Sequence, residues 1–248
     1  MRKGRSFHSP NPNVAYVAAL IGDPTRAAML LTLLSGTAHS ASELAYRGGA
    51  SPQAASAHLR KLVEGGLLTV AVSGRQRLYR LATREVAQAI EALSSIAGPP
   101  RIAALTQSIA AQRLREARTC YDHLAGRLSV ALTDALVARG ALRANGSGFH
   151  LTPKGERFFE DLEIDVLTLR HGRRELARAC MDWTERRPHL AGSLGKALLD
   201  CFVANRWIAR FPEDRYVRLT EHGQRVVPRL FAMHLHQHTS GAREPFQT

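Results

Sequence analysis

Apolar residues recur at helical spacing in short blocks separated by glycines, and the blocks between residues 19 and 82 form an ordered set. Asp23 followed by Pro24 predicts a helix start, since aspartate caps free N–H groups and proline suits the first helical position. Ala27, Leu30, Leu31 and Leu34 then form an apolar face, and Gly36 ends the helix. Ser40 and Glu43 have capping-box spacing for a short helix over 41–47, broken by Gly48 and Gly49. Ser51 and Pro52 open a third helix, which Gly65 and Gly66 close. Two β-rich runs, Leu67 to Val72 and Gln76 to Leu81, flank Ser73 and Gly74, where glycine supplies the positive φ of a tight hairpin. A further helix over 83–97 stops at Gly98, Pro99 and Pro100.

The third helix divides cleanly at 100° per residue. Ala55, Leu59, Leu62 and Val63 make a core side, while Gln53, Ala57, Arg60 and Glu64 point away and Ala54, Ser56 and Lys61 flank them. A small, polar N-terminal half followed by a basic pair suits a helix entering the major groove of double-stranded DNA. Small residues allow close approach, Ser51, Gln53 and Ser56 offer hydrogen bonds, and Arg60 and Lys61 reach phosphates. His58 sits near the core edge and reads as a packed or phosphate-touching residue. Arg75 and Arg77 flank the hairpin tip, placed to grip backbone or minor groove.

Residues 19–82 resemble the ArsR/SmtB family of prokaryotic winged-helix repressors. The resemblance rests on Asp23-Pro24-Thr25-Arg26, on Ser56, His58, Leu59, Leu62 and Gly66 of the recognition-helix pattern, and on Tyr79 and Leu81 ending the wing. It implies a homodimer on an imperfect palindrome, with repression relieved by a signal. The family's common metal sites have no counterpart here. The segment ASELAYRGG has no cysteine, and TREVAQAIEALSSIA has no histidine.

The remaining chain contains a repeat. ARTCYD at 117–122 matches ARACMD at 177–182, and HLAG occurs at 123–126 and 189–192. Each copy continues with a helical leucine pattern and a β-like pair ending in LTPKG or LTEHG, a junction resembling the later half of a winged helix. Neither copy has the small, polar outward face of residues 53–57, which points to sensing, dimerisation or packing. The expected fold is mainly α with small β-hairpin wings: a winged helix-turn-helix over 13–97, then a C-terminal sensing and dimerisation domain over 101–233 with repeats at about 117–160 and 177–230.

Cys120 and Cys180 occupy equivalent places in the two copies, as do His123 and His189, and Cys201 follows in a helix. These five residues form a candidate sensor for a soft metal, a metalloid or an oxidant. Against this stands the reading of cysteine as a small apolar residue packed on a helix, favoured by the lack of CxxC or HxxxH spacing. A third reading puts a small apolar ligand between the copies near Tyr121, Trp183 and Trp207. No cofactor is implied.

Charge changes the picture of partners. The formal net charge is +13, which favours a polyanion. No apolar run approaches the roughly 20 residues of a membrane span, no signal-peptide core follows the basic start, and the thiols are expected to be free in a cytoplasmic protein. Residues 1–12, with Arg2, Lys3 and Arg5, read as a flexible basic arm, and 234–248, with His234, His236 and His238, as a flexible tail. There is no nucleophile–base pattern, phosphate loop or carboxylate pair of an enzyme. The expected function is a sequence-specific regulator, a repressor released by an effector. The alternative is an architectural, nucleoid-type DNA binder.

Overall fold

The computed structural model describes residues 12–98, 105–146, 148–211 and 214–233. The expected basic run at Arg2, Lys3 and Arg5 and the tail histidines lie outside them.

The N-terminal part runs α1 (Val14–Ile21), α2 (Pro24–Leu33), β1 (His39–Ser40), α3 (Ala41–Gly48), α4 (Pro52–Glu64), β2 (Leu68–Ser73), β3 (Gln76–Leu81) and α5 (Arg84–Ile96). The three strands form one antiparallel sheet in the order β1-β3-β2. This is a winged helix-turn-helix. The helix starts follow from local chemistry: Asp23 accepts from the Arg26 N–H, Ser51 from Ala54 and Thr83 from Val86, while Ser40 and Glu43 complete a reciprocal capping box. Met29, Leu30, Leu33, Leu34, Leu44, Leu59 and Leu62 form a core excluded from solvent. One expectation needs correction. Leu31 is 40% exposed, and Met29 and Leu33 take the inward positions, because α3 and α4 pack on that side of α2. Leu31 instead faces a surface hollow that Trp183 and Arg215 also line.

The C-terminal part begins with α6 (Leu105–Glu116). The first repeat follows as β4 (Arg118–Cys120), β5 (His123–Ala125), α7 (Arg127–Ala138), β6 (Leu142–Asn145), β7 (Gly148–Leu151) and α8 (Pro153–Glu160). After α9 (Val166–His171), the second repeat is β8 (Arg178–Met181), β9 (Pro188–Ala191), α10 (Gly192–Ala204), β10 (Ile208–Arg210), β11 (Val217–Leu219) and α11 (Glu221–Phe231). Each unit is therefore hairpin, helix, hairpin, helix. The leading hairpin was not expected, and it moves Cys120 and Cys180 from a helix to strands. The cause is local: Cys120 pairs across β4–β5 with His123, and Cys180 across β8–β9 with His189.

The two units interlock reciprocally. The wing of the first meets the leading hairpin of the second, with Gly148 opposite Arg178 and Phe149 N–H donating to the Ala177 carbonyl at 2.9 Å. The wing of the second meets the leading hairpin of the first, with Tyr216 opposite Arg118 and Val217 N–H donating to the Ala117 carbonyl at 3.1 Å. Helices α7 and α10 likewise each pack on the other unit's hairpin. Phe158, Phe159, Phe202 and Phe231 fill the shared core, with Phe158 edge-on to Phe159 and Phe231 and Phe202 tilted against Phe231. Gly126 and Gly192, the last residues of the two HLAG tetrapeptides, both adopt φ +83°, turning each hairpin into its helix.

Candidate DNA interface and a buried Cys-His cluster

In α4 the core side is Ala55, Leu59 and Leu62, all buried. Ser51, Gln53, Ser56, Arg60 and Lys61 are exposed, and Ala54, Ala57 and His58 are half-buried at the margin. His58 Nδ1 lies 3.3 Å from Arg26 Nη1 and 3.7 Å from an Asp23 oxygen. Sequence reasoning used Arg26 only as a motif letter, yet it is a buried strut. Its Nε donates to the Leu20 carbonyl at 2.6 Å and its Nη2 to Ala19 at 2.8 Å. It thereby ties the end of α1 to α2 and, through His58, to α4.

The wing strands pair in register from Leu68↔Leu81 to Ser73↔Gln76, leaving Gly74 and Arg75 as the tip. Gly74 has φ +59°, the conformation the turn demands. Arg75 and Arg77 are exposed there. Among the described residues, Arg60, Lys61, Arg75 and Arg77 form no ion pair, so their charge faces outward.

A second site lies where the two repeats meet. The leading hairpins bring Cys120, His123, Cys180 and His189 into one buried cluster whose ligand atoms all lie within 4.8 Å of one another. The Cys120 and Cys180 sulfurs are 3.8 Å apart and unbonded, and the two Nε2 atoms are 3.2 Å apart. A carboxylate lies beside each imidazole, within hydrogen-bond distance only at His123. Asp122 Oδ1 stands 3.3 Å from His123 Nδ1, and the other oxygen, Oδ2, accepts from Arg174 Nη1 at 2.7 Å. Asp182 stands 3.7 Å from His189 Nδ1 and accepts from Arg118 at 2.9 Å and from the Gly126 N–H at 2.6 Å. Burial would raise the Asp122 carboxyl, but His123 and Arg174 hold it at about 2. Hydrogen bonding from Cys120, then from the imidazoles, draws the Cys180 thiol far below its usual range, whereas burial pushes Cys120 up. Burial lowers His189; it acts the same way on His123, where hydrogen bonds to Asp122 and Cys180 outweigh it.

A helix-turn-helix domain family matches residues 21–71. An uncharacterized HTH-type transcriptional regulator of Bacillus subtilis (strain 168), YdfF, is 44% identical over 214 residues, covering 86% of this chain and 95% of the relative. The chain belongs to the HTH-type transcriptional regulators. Among solved structures, HlyU from Vibrio cholerae N16961 is 29% identical, with TM-score 0.31, covering 32% of this chain and 86% of its own. The transcriptional repressor BigR from Xylella fastidiosa is 29% identical, with TM-score 0.33, covering 35% and 88%.

In the regulator, the cluster adjoins the winged domain directly. A cleft of about 150 Å³ reaches Cys120, His123 and Cys180, and its opposite wall is α5, through Arg84, Gln88 and Glu91. Cys201 lies elsewhere, in α10, with its sulfur 3.8 Å from the Leu162 carbonyl. Tyr121, Trp183 and Trp207 do not line one cavity: Trp207 packs edge-on against Phe202, while Arg118 stacks on Trp183. Among the described residues, no single helix is long and apolar enough to cross a membrane.

Proposed function

We propose that this regulator is a cytoplasmic repressor that binds an imperfect palindrome as a homodimer and is released by an effector acting on its C-terminal domain. The observation that carries the reading is α4 itself: a capped helix whose N-terminal half exposes Ser51, Gln53 and Ser56, beside a wing tip whose Arg75 and Arg77 form no ion pair among the described residues. Dimerisation is supported by exposed apolar side chains on α1 and α5, with Val14 70% and Ile96 79% exposed. Two recognition helices must then meet successive major grooves, roughly 34 Å apart, so a small change at the domain junction alters their spacing.

The test is binding of the full chain to DNA from its own upstream region, with base-pair substitutions in the bound site. A sequence-reading regulator loses about 1–3 kcal/mol per wrong pair. Affinity indifferent to sequence would replace this reading with an architectural one.

A further inference from the structure

We infer that Cys120, His123, Cys180 and His189 form a tetrahedral site for a thiophilic divalent d10 ion of the zinc type, set on the pseudo-twofold axis between the two repeats. The regulatory consequence drawn below rests on the proposed repressor function; the site itself does not.

Geometry is the first argument. Zinc binds thiolate at about 2.3 Å and imidazole at about 2.05 Å, so a regular tetrahedron sets two sulfurs about 3.8 Å apart and two nitrogens about 3.3 Å apart. The cluster shows 3.8 Å and 3.2 Å. Each hairpin supplies one cysteine and one histidine from directly opposed strand positions, so the backbone fixes both chelating pairs.

The surroundings are the second. Two neutral imidazoles with facing Nε2 atoms can share only one proton, whereas a metal ion satisfies both lone pairs. His123 presents its Nδ1 to the Asp122 carboxylate at 3.3 Å, the arrangement that orients metal-bound histidine, while His189 Nδ1 lies 3.7 Å from Asp182 without a hydrogen bond. Charge selects the valence. Arg174 balances Asp122 and Arg118 balances Asp182, so ligation through two thiolates places two negative charges in the buried site, which a divalent ion neutralises. The cleft beside α5 provides access.

The site also touches the machinery that holds the DNA-binding domain. On one side of Cys120, the Thr119 N–H donates to the Arg215 carbonyl at 2.8 Å, and Arg215 pairs with Glu91 of α5. On the other, the Tyr121 N–H donates to Leu34, at the end of α2, at 2.8 Å. An ion held by Cys120 is therefore one residue away from backbone contacts that lead to both α2 and α5.

The experiment uses the full chain, reduced and stripped with a chelator, and titrated with Co(II) as the optical probe and then with Zn(II). The expected result is one Co(II) per chain with thiolate-to-cobalt charge transfer and tetrahedral visible bands, displaced by Zn(II). Cys180→Ser and His189→Gln should weaken or abolish these bands while Cys201→Ser keeps them, with circular dichroism confirming the fold. Wild-type protein gives an independent reading: Zn(II) should slow alkylation of Cys120 and Cys180 but not of Cys201. Absence of charge transfer in folded, reduced protein overturns the site, as does equal loss in Cys201→Ser. Rapid formation of a Cys120–Cys180 disulfide that Zn(II) does not slow overturns it too. DNA affinity is measured in parallel, with an expected change of about 5- to 150-fold on adding Zn(II). Metal binding without that change supports the site and overturns its role as effector. Specific DNA binding without metal binding overturns this inference and leaves the regulator intact.

Discussion

Glu91 of α5 and Arg215, just before β11, form an ion pair across the junction of the two domains, with side chains only 6% and 9% exposed. The same guanidinium donates through Nε to the Thr119 carbonyl at 3.1 Å. Burying two charges is tolerable only while both are paired. Glu91→Ala should therefore destabilise the protein by about 3–5 kcal/mol, because Arg215 is left uncompensated. The double variant Glu91→Leu/Arg215→Met should recover most of that loss. Urea unfolding measures both, and a Glu91→Ala midpoint equal to wild type would mean the junction is open in solution.

Phosphate-facing and base-facing residues of the winged domain should separate in a salt series. Arg60→Ala and Arg75→Ala should each lower the slope of log affinity against log salt by about 0.9 and weaken all sequences alike. Gln53→Ala should leave the slope unchanged but narrow the preference for the correct base pair by about 1–3 kcal/mol. Lys196→Ala is the control, since Lys196 pairs with Asp200 on α10. Fluorescence anisotropy at several salt concentrations reads all four. An unchanged slope for both arginine variants would move the DNA to another face.

The winged domain was legible because its signals are local. Asp23, Ser40, Ser51 and Thr83 cap their own helices, and Gly74 sits at its turn whatever lies elsewhere in the chain. Leu31 was misplaced because neighbouring positions on α2 are also apolar, and only packing against α3 and α4 decides which turn inward. The repeat was visible, but not the leading hairpins, whose strands are three or four residues long with a helix immediately after β5 and β9. Nor could spacing reveal the cluster. Cys120 and Cys180 are 60 positions apart, and the exchange of wings between units sets their distance. The usual metal signatures are short because one loop supplies both ligands; here each chelating pair lies across a hairpin and the two pairs meet through tertiary structure.

Gly126 and Gly192 should tolerate no side chain. At φ +83° each occupies a conformation that L residues avoid, and a Cβ would fall 2.7 Å from the Arg115 carbonyl or 2.6 Å from that of Glu175. Strain of this kind alone costs about 1–3 kcal/mol, and the backbone clash adds to it. Gly126→Ala and Gly192→Ala should each lower the melting temperature of the C-terminal domain while α4 and the wing keep their structure. Hydrogen exchange resolves the two domains, and uniform protection in both variants would contradict the assigned turn.

Asp122 and Asp182 hold equivalent places in the repeats, yet their variants should fail differently. Asp122 is 21% exposed at its side chain, and its partner Arg174 also donates to the Gly192 carbonyl at 2.9 Å, so it keeps a partner when the carboxylate is lost. Asp122→Asn should leave the fold intact and weaken Zn(II) binding by about 10- to 100-fold, because His123 loses the charge that orients it. Asp182 is fully buried against a fully buried Arg118. Asp182→Asn should leave the charge of that guanidinium buried and uncompensated, although it still donates to the Leu114 carbonyl, and cost about 3–5 kcal/mol of stability before any question of metal arises. Chelator competition and thermal melting distinguish the two outcomes. Equal losses of stability with no difference in metal affinity would show that Asp122, like Asp182, serves only to neutralise an arginine.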